Sequence, residues 1–220
     1  MYTLTIGDKA YSSWSLRGWL LLAAFDLPFE EDRVPMYTAE FDEMQAARAP
    51  ARSVPQLAWT EGGARRRIWD TAAIAETLHE RHPETGIWPG DPWARAVART
   101  LAAEMHAGFQ ILRGTAPMNL HRAASPLVAP PEGLDAELTR LGRLWEWARA
   151  ETGGSWLGGA AFSAADAFYA PVAARLESYA LLVPATEDYA RQLLAHPAVA
   201  RWTAEARAEP RRLPRYDDIP

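Results

Sequence analysis

The sequence predicts an α/β domain of order βαβαββα followed by an all-helical domain. Three observations carry this expectation. Two strand-like segments, Tyr2 to Ile6 and Phe29 to Val34, flank one apolar helical run, Leu16 to Phe25. The turn Glu61-Gly62-Gly63 separates two further short strand patterns. Residues 82–92 are dense in proline and glycine, and beyond them the apolar spacing is helical.

Tyr2 to Ile6 alternates and is rich in Tyr, Thr and Ile, as a half-buried strand does. Ser12-Ser13-Trp14-Ser15 leads into the first apolar run, and serine before such a run is an N-cap signal. Asp26-Leu27-Pro28 ends that helix. The β-α-β unit that results implies a parallel pair with a right-handed crossover. A weaker helix is expected over Phe41 to Arg48. Val54 to Trp59 reads as a strand that opens with proline, and a short strand ends near Trp69. Asp70-Thr71 then opens a helix to about His82. That order is the thioredoxin-like arrangement. The expected division is 1–82, a linker at 83–92, and a helical domain at 93–220. One long helix is expected from Trp93 to about Arg113, then a proline-rich connection from Ala116 to Gly133. Further helices are expected over Leu134 to Thr152, Ala164 to about Tyr179, Tyr189 to Leu194 and Val199 to Ala208. Ser163 and Asp166 have the spacing of a capping box.

Composition excludes several functions. The net charge is −5, so the chain lacks the electrostatic footprint of a nucleic-acid partner. There is no cysteine, which removes disulfides, thiolate metal ligands and any thiol nucleophile of the protein's own. The longest apolar run, Gly18 to Phe25, is far below the ~20 residues a bilayer requires. The N-terminus has no apolar stretch of signal-peptide length. A cytoplasmic protein without a membrane partner is expected. Glu76, His79, Glu80 and His82 have spacings open to a metal, but surface charge at a helix C-terminus is the simpler reading, and no metal site is expected.

Three segments of the first domain fall on one edge of the expected sheet: Ser12-Ser13, Val54-Pro55 and Asp70-Thr71. Two helix N-termini with free N–H groups and hydroxyls suit anionic groups. An extended Val-Pro segment can pair main chain to main chain with a short peptide, and Asp70 can meet an amine. Together they suit a small zwitterionic peptide.

On these segments the chain resembles the soluble glutathione transferases, and the resemblance covers nearly the whole chain. Ser12-Ser13-Trp14-Ser15-Leu16-Arg17 is similar to the Ser-Ser-Cys-Ser start of helix one in serine-using, zeta- and theta-like classes. Ala49-Pro50-Ala51-Arg52-Ser53-Val54-Pro55-Gln56-Leu57 resembles the family's Asn-Pro-x-Gly-Lys-Val-Pro-x-Leu, whose Val-Pro bond is cis. Asp70-Thr71-Ala72-Ala73-Ile74 is similar to Glu-Ser-x-Ala-Ile, and Trp156-Leu157-Gly158-Gly159 with Phe162 to Asp166 to a later box of the helical domain. The Tyr-Ser-Ser-Trp-Ser-Leu-Arg start, Glu104 to Phe109 and Pro117-Met118-Asn119 look like a bacterial subgroup.

The resemblance implies glutathione as co-substrate, a small-molecule electrophile as its partner, and a homodimer. It implies that Ser12 donates a hydrogen bond to the glutathione sulfur. Ser13, one residue on, has nearly the same claim, and Ser15 is a further rival. Val54, presented by Pro55, would pair with the cysteinyl unit. Asp70 and Thr71 would take the γ-glutamyl amine and carboxylate, and Arg52 the glycyl carboxylate. His106, Arg113 and Asn119 would line the electrophile site. A maleylacetoacetate-isomerase-type reaction and a glutathione-binding module without turnover are the alternatives to simple conjugation.

Overall fold

The computed structural model describes residues 1–219. Strands β1 (Tyr2–Ile6), β2 (Phe29–Arg33), β3 (Gln56–Glu61) and β4 (Ala64–Trp69) form one sheet of order β2-β1-β3-β4. β1 and β2 are parallel, whereas β3 pairs antiparallel with both β1 and β4. Helices α1 (Ser13–Ala23), α2 (Ala39–Ala47) and α3 (Thr71–Arg81) complete a thioredoxin-like βαβαββα unit. The helical region holds α4 (Pro92–Ala107), α5 (Gln110–Thr115), α6 (Leu134–Thr152), α7 (Ala164–Ser178), α8 (Pro184–Ala195), α9 (Pro197–Ala208) and the short α10 (Pro214–Asp217). The expected fold class is therefore present. Among the described residues, no helix is long and apolar enough to cross a membrane.

α1 joins the two regions. Leu16, Trp19, Leu20, Leu21 and Leu22 are all buried, so the helix has no solvent face of its own. It packs on β1 and α3 on one side and on α7 and α9 on the other. Burying each of its leucines is worth about 1.5–3 kcal/mol, which explains why so short a helix persists. Lys9 adds a second tie. Its ammonium is buried between Trp19 and Trp202 and bridges Glu31 and Glu205, while Trp202 donates to the Lys9 carbonyl.

In the helical region Asp166 is the fixed point. Its carboxylate accepts from the Ser163 amide at 2.7 Å, the Ser163 hydroxyl at 2.7 Å and the Leu157 amide at 3.0 Å. Tyr189 of α8 donates to it as well. The expected capping role is present, and the same group also anchors α8 and the 157 turn.

The single long helix expected over Trp93 to Arg113 is a correction: two helices occupy that stretch. Gly108 leaves the helical region (φ −100°, ψ −166°) and Phe109 turns left-handed (φ 57°). Phe109 is buried and meets Tyr169 edge to face, so its ring holds the turn. Arg113 Nη1 donates to the carbonyls of His106 and Gly108, and Glu137 on α6 accepts from the Ile111 and Leu112 amides. The groups freed by the break are thus satisfied from outside the helix.

Candidate active site

The start of α1 opens onto a cavity of about 590 Å³ between the sheet unit and the helical region. Its sheet-side wall includes Ser12, Ser13, Trp14, Arg52 and Val54, and its helical wall Gln110, Arg113, Met118 and Arg175. Tyr11, Tyr37 and Tyr216 close one end, where the Tyr37 and Tyr216 hydroxyls are 2.9 Å apart.

Ser12 is the N-cap of α1. Its Oγ accepts from the Ser15 amide at 3.2 Å and donates to Ser15 Oγ at 2.7 Å. A hydroxyl that accepts an N–H is polarised and becomes a better donor. Ser15 itself is fully buried and accepts from the Gly7 amide at 3.0 Å, so it faces away from the cavity. Ser13 Oγ accepts from Arg175 Nη2 at 3.1 Å. Its own hydrogen stays free to point elsewhere.

Val54 precedes the first paired residue of β3 and follows the sheet edge into the cavity wall. Its amide and carbonyl have no hydrogen-bond partner among the described residues. The Val54-Pro55 peptide is cis, and so is Ala49-Pro50. α1 approaches this turn at Gly18, where a Cβ would lie 2.6 Å from Pro55 Cγ. Only glycine permits that contact without a shift of one or the other. Arg52 is exposed on the same wall, with its carbonyl held by Gln45 Nε2 at 2.7 Å.

The remaining expected residues lie elsewhere. Asp70 caps α3 through the Ala72 amide at 2.8 Å, and its carboxylate faces His106 Nε2 at 3.3 Å. Thr71 is fully buried, and its hydroxyl has no partner among the described residues. Neither lines the 590 Å³ cavity, but His106 packs edge-on against Trp14 with ring centroids 5.0 Å apart, which links the two places. Asn119 is the clear departure. It is buried, donates to the Tyr216 carbonyl and to Asp217 Oδ1 at 2.9 Å, and accepts from the His121 amide. It therefore holds the C-terminal segment in place and presents nothing to the cavity.

Two buried cations at or behind the cavity were not singled out from the sequence: Arg175, which lines it, and Arg17. Both are buried, and burial with repulsion from Arg113 pushes Arg17 down to about 9 and Arg175 to about 10. Both remain cationic at neutral pH. The signal was present, because each is a lone charge inside an otherwise apolar helical run. No cluster of potential metal ligands occurs among the described residues, and Glu76 instead pairs with Arg99 at 2.6 Å.

A serine-bearing helix start and a main-chain edge left unpaired among the described residues thus share one wall of the cavity. Residues 11–81 match the family model for the glutathione S-transferase N-terminal domain. That stretch contains α1, the 54–55 turn and the start of α3. No curated protein matches the chain. Among solved structures, maleylacetoacetate isomerase from Anaeromyxobacter dehalogenans 2CP-1 is 27% identical, with 96% of each chain covered and a TM-score of 0.63. It was solved with dicarboxyethyl glutathione and citrate in its active site. A glutathione transferase homologue from Burkholderia gl BGR1, with bound glutathione, is 21% identical over 94% of this chain and 99% of its own, at a TM-score of 0.68. Glutathione transferase Omega 1C from Trametes versicolor is 19% identical over 99% and 97%, at 0.71. The last two share the fold; their identity is too low to carry more.

Proposed function

We propose that the chain is a glutathione transferase in which a serine hydroxyl at the start of α1 stabilises the thiolate of bound glutathione for attack on a small electrophile. The observation that carries this reading is the cavity wall itself. Ser12, Ser13, Val54, whose backbone is unpaired among the described residues, and Arg52 all line one space of about 590 Å³, large enough for a tripeptide and a second molecule. In this reading Val54 pairs with the cysteinyl unit and Arg52 takes the glycyl carboxylate. Asp70, with the orphaned Thr71 hydroxyl behind it, receives the γ-glutamyl end once the side chains around His106 and Trp14 adjust.

Ser12 is the donor to sulfur. It already accepts the Ser15 amide, and its hydrogen rests on Ser15 Oγ, from which it can turn to a ligand. A free thiol with a pKa near 8.5 is only a few per cent ionised at pH 7. A hydrogen bond to the charged form, worth about 1.5–3 kcal/mol, lowers that value by roughly one to two units. The N-terminal end of α1 adds in the same direction. Ser13, held by Arg175, supports the same anion from the side. The protein works in the cytoplasm as a homodimer, and the same thiolate serves conjugation or a glutathione-assisted isomerisation.

Calorimetric titration with glutathione, followed by turnover of a generic aromatic halide, tests the reading. Binding with turnover supports it. Binding without turnover of any of several electrophiles reduces the chain to a glutathione-binding module, and no binding removes the reading altogether.

A further inference from the structure

The helical wall carries more positive charge than glutathione accounts for. Arg52, Arg113 and Arg175 line the cavity, and no aspartate or glutamate does so among the described residues. Arg113 and Arg175 have no carboxylate within ion-pair distance among the described residues. Arg17 lies behind them, 2% exposed, with Nε and Nη1 lacking a hydrogen-bond partner among the described residues. All three converge on Trp14 and Ser13. The Arg17 guanidinium carbon lies 4.5 Å from the Trp14 ring centroid, that of Arg113 5.2 Å, and Arg175 bonds Ser13. Like charges gathered in a partly dehydrated place repel one another, and an anion entering there relieves that repulsion.

Glutathione supplies no anion for Arg113 in the reading above. Its glycyl carboxylate goes to Arg52 and its γ-glutamyl end lies towards Asp70. Arg175 reaches Ser13 and so has a share in the thiolate. Arg113 instead stands beside Gln110 and Gly114, with only Nη1 engaged by backbone carbonyls. A guanidinium fork matches a carboxylate in shape and charge, and the indole of Trp14 offers a flat face to the carbon frame beside it.

We propose that the electrophile of this cavity carries a carboxylate, which Arg113 binds on the helical wall with Arg175 and Arg17 adding to the local positive field. The proposal rests on the glutathione reading above and narrows it to an acidic second substrate. With a chlorinated nitrobenzoate, for example, the thiolate attacks the carbon bearing chlorine. The C–S bond forms, the C–Cl bond breaks, chloride leaves with its electron pair, and the thiol proton has already gone to water. The carboxylate takes no part in the bond changes; it orients the ring.

The test is calorimetric titration of the whole protein with glutathione, with S-(4-carboxy-2,6-dinitrophenyl)glutathione, and with the methyl ester of that ring carboxyl. Both conjugates are thioethers, so arginines that serve only a thiolate treat them alike. The expected result is that the parent binds the acid conjugate about tenfold or more tightly than the ester, as for loss of a charged hydrogen bond. Arg113→Gln should remove most of that preference and leave the affinities for glutathione and the ester within about twofold. Arg113→Lys should keep part of it. Equal binding of the two conjugates by the parent overturns this proposal and leaves the glutathione reading standing, and that comparison needs no variant to fold. Equal weakening of all three ligands by Arg113→Gln also overturns it, since Arg113 is then only a prop for the turn at Phe109. Failure of the parent to bind any of the three overturns both.

Discussion

The two walls of the cavity are built by different means. On the sheet side the groups that matter are placed by backbone. β1 pairing to β3 sets where Val54 leaves the sheet, and the N-terminus of α1 sets Ser12 and Ser13. Gly18 lets the helix rest on Pro55. On the helical side the placement is by side chains. α5 is a short helix after a break, held by Glu137 and Arg113, and its wall is defined by charge. In the proposed reading the backbone-built wall holds glutathione, common to every substrate pair, whereas the side-chain-built wall chooses which second molecule is admitted. Substitutions on the first should change chemistry for all substrates, and those on the second should change selectivity.

The largest effect expected is on the sheet side. Ser12→Ala should lower kcat/KM at pH 7 by about 10- to 100-fold, the equivalent of one to two pKa units at the thiol. The sign follows from the charge: without the donor the thiolate loses stabilisation, the bound thiol titrates higher, and the deficit shrinks as pH rises past that new value. A pH profile of kcat/KM with two electrophiles, one neutral and one acidic, reads this directly. An equal deficit for both marks the sheet wall; a deficit for one alone breaks the comparison. Gly18→Ala comes next. The added methyl meets Pro55, and overpacking of this kind costs about 1–3 kcal/mol. Thermal stability and glutathione affinity should fall together, and an unchanged glutathione affinity would mean that the 54–55 turn does not depend on α1.

How far these walls were legible in the sequence follows from the same difference. Strand alternation, the serine cap and the Gly62-Gly63 turn are local signals, so every element from β1 to α3 was readable, with ends off by up to about three residues, as where α1 begins at Ser13 and not at Leu16. The expected start of β3 at Val54 lies two residues early, because Pro55 has no amide to give and pairing begins at Gln56. The break at Gly108-Phe109 depends on Glu137, 28 residues past Phe109, and no periodicity within α4 announces it. Asn119 illustrates the limit most plainly. Its partners Tyr216 and Asp217 lie about a hundred residues away, so a polar side chain in the right loop looked like a ligand for substrate when it is a tie for the C-terminus. Arg17 and Arg175 needed tertiary structure because a lone arginine in an apolar run reveals burial but not company.

Smaller effects should sharpen the helical side. Glu137→Gln weakens the bonds to the Ile111 and Leu112 amides, and should cost about 1 kcal/mol of stability. It should loosen Arg113 with α5, so the preference for the acid conjugate should drop while glutathione affinity holds; calorimetry with the three ligands checks both. Asn119→Ala should be the mildest, about 1 kcal/mol in a denaturant melt, with selectivity between acid and ester unchanged. A change of selectivity there would restore Asn119 to the substrate site.

The central claim is that the sheet-side wall makes glutathione a thiolate through Ser12. The most direct measurement is the ultraviolet absorbance of the bound thiolate against pH for the parent, Ser12→Ala and Ser13→Ala. The account predicts a midpoint below the free thiol's value of about 8.5 in the parent. It predicts a rise of roughly one to two units in Ser12→Ala and a smaller one in Ser13→Ala. A midpoint that stays put in Ser12→Ala, or that moves more in Ser13→Ala, would contradict it.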